Sequence, residues 1–147
     1  MTLDIRWAIP GRLALFARPQ RADFERIARE GFGMILSVYD PEKPSSKVEW
    51  AAPVDASVVR AIPAKDFHPI DFNAAEIESL AADARRVWQA GRPIGIHCGA
   101  GIGRTGTLAI LLLAGAVKDA RSWPEEPSQR QQLSDFMRRD RAGRRDP

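Results

Sequence analysis

The sequence predicts an α/β fold, with a mostly parallel central sheet of four to five strands and helices on both faces. Short apolar segments of strand length alternate with amphipathic segments of helical length, an order typical of parallel sheets whose two faces are covered. The chain has 147 residues, no internal repeat and no linker, so we expect one domain with a sizeable core. In sheets of this kind, ligands bind at the carboxyl ends of the strands.

Four apolar segments are predicted to be strands. They are residues 13–16, 34–39, 58–62 and 94–97. Residues 40–55, between the second and the third strand, contain several prolines and serines and predict a loop with room for one short turn. We expect Asp40 to be a turn residue of this loop. Core or rim packing is the preferred interpretation of Trp50, and a pocket wall is the alternative.

Four further segments are predicted to be helices. They are residues 21–30, 73–90, 107–117 and 128–139. The first has apolar residues at helical spacing and ends at Gly31. In the second, Asn73 is a suitable N-cap and Gly91 is the expected stop.

The segment between the fourth strand and the third helix has the composition of an anion-binding loop. It runs from His97 to Gly106 and reads HCGAGIGRTG. The backbone N–H groups of a glycine-rich turn at a helix N-terminus converge on an anion. We therefore expect this loop to hold a phosphate group. Its expected phosphate-binding residues are Gly99, Ala100, Gly101, Ile102, Gly103 and Arg104.

The side chains of this loop point to nucleophilic chemistry at phosphorus. Cys98 can attack only as a thiolate, and a ring of N–H donors at a helix N-terminus favours that anion. Arg104 can bind two phosphate oxygens at once with its planar fork. Thr105 can donate a hydrogen bond to the sulfur when sulfur becomes the leaving group. We expect His97 to be a buried, orienting residue.

The complete pattern His-Cys-x5-Arg-Ser/Thr resembles the signature loop of the cysteine-dependent protein tyrosine phosphatases. Residues 7–14 are also similar to the entry segment of small bacterial and archaeal dual-specificity phosphatases, and the resemblance covers about residues 5 to 117. It implies a phosphocysteine intermediate formed on Cys98, with no metal or other cofactor. A nucleotide P-loop is excluded because no Gly-Lys-Ser/Thr closes the loop.

The reaction also needs a general acid to protonate the leaving oxygen. The stretch from Ile62 to Pro69 follows a predicted strand and is similar to the acid loop of the small phosphatases, which places Asp66 at the position of the acid. Asp71 is the alternative, although a loop carboxylate or helix cap is the preferred interpretation of it. His68 is expected to be a surface residue.

The C-terminal part departs from the family pattern. Residues 118–127 are short and carry Trp123 and two prolines where relatives usually add a helix. Gln129 matches, weakly, the late glutamine that often helps to place water in the family. An exposed residue in the first turn of a helix is an equally good interpretation of Gln129.

The positive charge of the chain lies at its C-terminus. Removing the five arginines and two aspartates of residues 138–147 from the 22 basic and 19 acidic residues leaves 17 of each. We therefore expect a catalytic domain over residues 1–137 and a basic tail over 138–147. A solvated helix end is the preferred interpretation of the tail, with nucleic-acid contact as the alternative.

Composition and chemistry together predict the function and its setting. One cysteine, no signal-like N-terminus and no apolar run of membrane-spanning length predict a cytoplasmic enzyme without membrane contact. The expected substrate is phosphorylated protein or peptide, foremost phosphotyrosine, because the loop has no lysine of the kind common in inositol-lipid phosphatases. An RNA 5′-triphosphatase and a non-catalytic phosphoresidue-binding module are the alternatives.

Overall fold

The computed structural model describes residues 3–63 and 74–98. Its strands and α-helices in chain order are β1 (Ile5–Ile9), β2 (Leu13–Ala17), α1 (Phe24–Glu30), β3 (Met34–Tyr39), β4 (Val59–Pro63), α2 (Ala74–Gln89) and β5 (Ile94–Cys98). Single turns of 3-10 helix at Arg21–Asp23, Pro44–Ser46 and Ala56–Val58 lie in the connections. All the predicted strands and the first two predicted helices are therefore present. The predicted helices over 107–117 and 128–139 lie outside the described residues.

The five strands form one sheet in the order β1-β2-β5-β3-β4. The pairs β2–β5, β5–β3 and β3–β4 are parallel, whereas β1 is antiparallel to β2. The mostly parallel sheet is thus confirmed. β1 was not among the predicted strands, and it extends the sheet at one edge.

The two faces of the sheet carry different cores, because successive residues of a strand point to opposite faces. Helix α2 covers an aliphatic cluster made of Leu13, Leu15, Met34, Leu36, Val38, Ile62, Ala84, Ile94 and Ile96. Helix α1 covers a cluster rich in aromatic residues, made of Ala14, Phe16, Phe24, Ile27, Phe32, Ile35, Val48 and Val54. Helices therefore cover both faces, as predicted.

Glycines end both described helices in the expected way. Gly31 follows α1 with φ of 72°, and Gly91 follows α2 with φ of 76°, a left-handed conformation that glycine adopts at little cost. At the end of α2, the N–H of Gly91 donates to Trp88 O (2.9 Å) and that of Arg92 to Val87 O (3.1 Å). These two bonds form a Schellman motif, which turns the chain into β5.

Candidate active site

Cys98 ends the central strand of the sheet. It is the last residue of β5, which lies between the parallel strands β2 and β3, and it pairs with Ala17 at the end of β2. The backbone therefore leaves β5 at the carboxyl edge of the sheet, where parallel α/β sheets bind ligands. The expected phosphate-binding residues 99–104, together with Thr105, lie outside the described residues, so their roles stay predictions.

His97, the residue before Cys98, is held from several sides on the α1 face of the sheet. Its side chain is fully buried, and its Nε2 lies 2.7 Å from the Oγ of Ser37 on β3. The imidazole packs between the rings of Phe16 and Trp50, with centroid distances of 5.6 Å and 5.7 Å. The expected burial of His97 is therefore observed, and its surroundings fix the orientation of the ring.

Ser37 joins His97 to the loop that follows β3. The indole N–H of Trp50 donates to the Oγ of Ser37 at 3.0 Å, and an indole nitrogen is a donor only. A hydroxyl group has one proton and two acceptor lone pairs, so Ser37 can bond to Trp50 and to Nε2 of His97 at the same time. Ser37 thus links the orientation of the His97 ring to the position of Trp50.

Ser37 is not among the functional residues predicted from the sequence. One signal for it was present, because Ser37 is the only hydroxyl-bearing residue besides the terminal Tyr39 in the otherwise apolar β3 sequence MILSVY. A polar side chain in a buried strand nearly always has a hydrogen-bond partner. The identity of that partner depends on the strand order, which places β5 beside β3.

Asp40 follows β3 directly and is buried at the same edge of the sheet. Its Oδ1 accepts the backbone N–H of Glu42 at 2.9 Å, and its own N–H donates to the Oγ of Ser46 at 2.9 Å. The backbone N–H of Lys43 donates to the carbonyl of Asp40 at 3.0 Å. Asp40 is therefore the turn residue that the sequence predicted, and it sets the direction in which the chain leaves β3.

A cavity of about 710 Å³ lies beside this edge, between residues 18–21 after β2 and residues 44–51 after β3. Trp50 stacks on Phe24 with a centroid distance of 5.2 Å and also lines the cavity, so it combines the preferred packing role with the alternative role of a pocket wall. Since Trp50 also packs on His97, the cavity adjoins the end of β5. We call this cavity the basic groove, because Arg18, Arg21 and Lys47 are among its lining residues.

Comparison with known families identifies the family to which the chain belongs. The family model described as PTP-SAK, the Swiss Army Knife protein with a DSP-PTPase phosphatase domain, matches residues 3–145. The chain belongs to this phosphatase family. The match covers nearly the whole sequence and confirms the resemblance to the cysteine-dependent tyrosine and dual-specificity phosphatases. No curated protein matches the sequence.

Solved phosphatase structures share the fold of this phosphatase domain. A mutant form of Tk-PTP is 20% identical with a TM-score of 0.67, and the match covers 95% of this chain and 97% of that one. Human DUSP28 is 18% identical with a TM-score of 0.68, and 95% of each chain is covered. PTPMT1 in complex with PI(5)P is 17% identical with a TM-score of 0.70, over 92% of this chain and 96% of that one. At these identities the likeness establishes the fold.

The remaining predicted site residues of the phosphatase domain, Asp66 and Gln129, lie outside the described residues, as do Asp71 and His68. The strand that leads to Asp66 is described, however. β4 ends at Pro63, which pairs with Tyr39 at the carboxyl edge. The chain therefore leaves β4 at the same edge of the sheet at which it leaves β5 for the phosphate-binding loop.

Among residues 3–63 and 74–98, no group of three or more histidine, cysteine, aspartate or glutamate side chains could hold a metal ion. The helices in these residues include none with the length and apolar composition of a membrane span.

Proposed function

We propose that this phosphatase domain hydrolyses phosphate monoesters on protein, foremost phosphotyrosine and also phosphoserine and phosphothreonine, through a phosphocysteine. The observation that carries the proposal is the position of Cys98. It ends the central parallel strand, directly after the buried and hydrogen-bonded His97, and it is the cysteine of the complete signature from His97 to Thr105. This position at the carboxyl edge is the one at which a parallel sheet presents a nucleophile to a ligand.

The proposed reaction has two steps. In the first, the Cys98 thiolate attacks phosphorus and an S–P bond forms as the bond to the leaving oxygen breaks, while Asp66 gives its proton to that oxygen. Arg104 and the loop amides hold the phosphate oxygens. In the second, Asp66 takes a proton from water, the water attacks phosphorus, and the S–P bond breaks as Thr105 donates a hydrogen bond to the sulfur. The products are the alcohol or phenol and inorganic phosphate.

The geometry of the sheet supports Asp66 as the acid. The ends of β4 and β5 are two strand spacings apart, or about 10 Å, since neighbouring strands lie about 4.8 Å apart. Asp66 is three residues beyond Pro63, and three extended residues reach about 10 Å. The chain length between β4 and Asp66 is therefore sufficient to bring the carboxyl group to the end of β5.

The composition of the loop favours protein substrates. Between its glycines the loop carries Ala100 and Ile102, with no lysine to bind the additional phosphates of an inositol lipid. The solved PTPMT1 structure contains PI(5)P, so an inositol lipid is the first alternative substrate with which phosphotyrosine peptide is compared. RNA with a 5′-triphosphate is the second alternative substrate, because the RNA 5′-triphosphatases of this superfamily share the loop pattern.

The proposal is tested first with p-nitrophenyl phosphate in a reducing buffer that contains a metal chelator. We expect wild-type turnover, no turnover by Cys98→Ser, and turnover by the control Asp71→Asn close to wild type. Asp66→Asn should slow hydrolysis of a phosphotyrosine peptide by about 10²–10⁴-fold, the usual contribution of a general acid. Its effect on the nitrophenyl ester should be smaller, because that leaving group needs little protonation.

Two results would contradict the proposal. Undiminished turnover by Cys98→Ser would exclude the phosphocysteine, and faster hydrolysis of PI(5)P or of 5′-triphosphate RNA than of phosphotyrosine peptide would exclude protein as the preferred substrate. If Asp71→Asn alone slows the peptide reaction, the role of acid passes from Asp66 to Asp71.

A further inference from the structure

The basic groove is bounded by two segments whose backbones are fixed. In the first segment Pro19 is buried, and the N–H of Gln20 donates to Oδ2 of Asp23 at 2.8 Å while the N–H of Asp23 donates to the carbonyl of Gln20 at 2.8 Å. In the second segment Val48 is buried and Trp50 is hydrogen-bonded to Ser37. The groove is therefore a preformed feature of the described fold, not a gap between two loose loops.

The groove carries more positive than negative charge, and its two arginines form no ion pair among the described residues. The groove is lined by three cationic side chains and one carboxylate, an excess of two positive charges. These residues are Arg18, Arg21, Lys47 and Glu49. Within residues 3–63 and 74–98, neither Arg18 nor Arg21 forms an ion pair. Lys47 lies over the ring of Tyr39, 5.1 Å from its centroid, and this contact leaves its charge in place.

The groove lies within a few residues' reach of the proposed nucleophile. Ala17 pairs with Cys98 across β2 and β5, so their Cα atoms are one strand spacing apart, and Arg18 is the next residue. The Cα atoms of Arg18 and Cys98 are consequently separated by at most about 9 Å. Each residue of an extended peptide spans about 3.4 Å, so a residue two to four positions from the phosphoresidue would reach the groove.

We infer that the basic groove binds an anionic side chain of the substrate, a carboxylate or a second phosphate, two to four residues from the phosphoresidue. This inference rests on the proposed function for its substrate, but the groove is a separate feature of the chain. Arg18 and Arg21 supply planar donors that match either anion, and Lys47 adds charge. Trp50, which is half-buried and stacks on Phe24, provides an aromatic surface against which the intervening peptide can pack.

The first test compares three phosphotyrosine peptides that differ only three residues from the phosphotyrosine, where they carry alanine, glutamate or phosphoserine. We expect wild type to have about tenfold higher kcat/KM for the two anionic peptides than for the alanine peptide, with the difference in KM. The variant Arg18→Glu/Arg21→Glu should reduce that ratio to about one or below. Arg18→Gln/Arg21→Gln is the charge-neutral version of the same change.

Arg29→Glu is the matched control, because Arg29 is also exposed but lies in the last turn of α1, away from the groove. It should keep the wild-type ratio. A preference for only the glutamate or only the phosphoserine peptide identifies which anion the groove selects, and the inference then holds for that anion. Equal kcat/KM values for all three peptides with wild type, or an unchanged ratio in Arg18→Glu/Arg21→Glu, would overturn it.

The second test does not depend on catalysis and so separates the groove from the proposed reaction. A fluorescent, unphosphorylated peptide rich in glutamate is titrated with wild type, Arg18→Glu/Arg21→Glu and Arg29→Glu, and its anisotropy is followed at low and at raised salt. We expect wild type and Arg29→Glu to bind about tenfold more tightly than the double variant, and salt to weaken that binding. The inference would be overturned if the double variant bound the peptide as tightly as wild type. It would also be overturned if an RNA oligonucleotide displaced the fluorescent peptide more strongly than the unlabelled glutamate-rich peptide does.

Discussion

The substitution Ser37→Ala tests the hydrogen-bonded contact that orients His97. Ser37 is 3% exposed, and its hydroxyl takes part in two side-chain hydrogen bonds, one with Nε2 of His97 at 2.7 Å and one from Nε1 of Trp50 at 3.0 Å. Alanine keeps the Cβ and removes only the oxygen and its proton. Both neighbouring nitrogens then lose these hydrogen bonds in a site with little room for water.

The expected cost follows from the burial of those two nitrogens. A buried polar atom that loses its partner costs about 1–3 kcal/mol. His97 is fully buried and should come near the upper part of that range, whereas Trp50 is half-buried and should come near the lower part. The sum is about 3–5 kcal/mol, or a fall in Tm of about 10–15 °C for a domain of this size. Because domains are stable by about 5–15 kcal/mol, the variant should still fold.

The assay is urea unfolding of wild type, Ser37→Ala, Trp50→Phe and the double variant. Trp50→Phe keeps an aromatic ring and removes the donor, while Ser37 can still bond to His97, so we expect a loss below about 1.5 kcal/mol. The two changes should be less than additive, because they remove one shared bond. Ser79→Ala, on the exposed side of α2, is the control and should change stability by less than about 0.5 kcal/mol. A Ser37→Ala variant as stable as this control would refute the reasoning.

Two further predictions concern β5 and the segment before β4. Gly95→Ala would place a Cβ 2.9 Å from the Phe16 ring and 3.2 Å from the Phe32 ring, and should cost about 1–3 kcal/mol in urea unfolding. The pKa of Asp55 lies below its ordinary value because its side chain accepts hydrogen bonds from Ser57. Its contribution to stability is present above the ordinary aspartate value of about 3.9 and is lost as the pH falls through the lower folded-state pKa. The stabilities of Asp55→Asn and wild type should therefore converge as the pH falls through the folded-state pKa of Asp55; a difference that stays constant with pH would contradict this.

The fold was largely predictable because its elements carry local signals. The buried strands are short apolar runs, and both described helices end at glycines with positive φ. The start of β4 differs by one residue from the prediction, since Val58 belongs to a 3-10 turn that Asp55 caps through the N–H of Ser57 at 2.9 Å. Asp55 two residues before Ser57 is a sequence signal for this cap. It was missed because the apolar residues that follow, from Val58 on, favoured a strand.

β1 was missed although its sequence carries a signal. Every second residue of Ile5–Ile9 is a large apolar one, and the following Pro10-Gly11 leads into β2, a pattern typical of two strands joined by a turn. The segment has only five residues and includes a register shift between Trp7 and Ile9. Its strand conformation depends on pairing with β2, and the pattern of a short segment alone does not establish such pairing.

In the candidate site, as in the rest of the fold, local features were predictable from the sequence and contacts between distant residues were not. The apolar run before His97 predicts a strand that leads directly to Cys98, although the observed β5 extends one residue further than predicted and includes Cys98. The contact of His97 with Ser37 joins residues 60 positions apart, and it exists only because β5 inserts between β2 and β3. Nothing in the spacing of the strands along the chain specifies that order, so the surroundings of His97 had to come from the structure.

The aromatic cluster on the α1 face connects the basic groove to the end of β5. Trp7, Phe32, Phe16, His97, Trp50 and Phe24 form a continuous row of neighbouring rings, with successive centroids 5.2–6.1 Å apart. Such aromatic contacts add about 0.5–1.5 kcal/mol each beyond the area that they bury, and they also restrict the orientation of the rings. The opposite face, under α2, holds β5 through aliphatic side chains that impose no such orientation. The position of His97 is therefore set from the α1 face, and a ligand that displaces Trp50 in the groove acts on a ring in direct contact with the residue before Cys98.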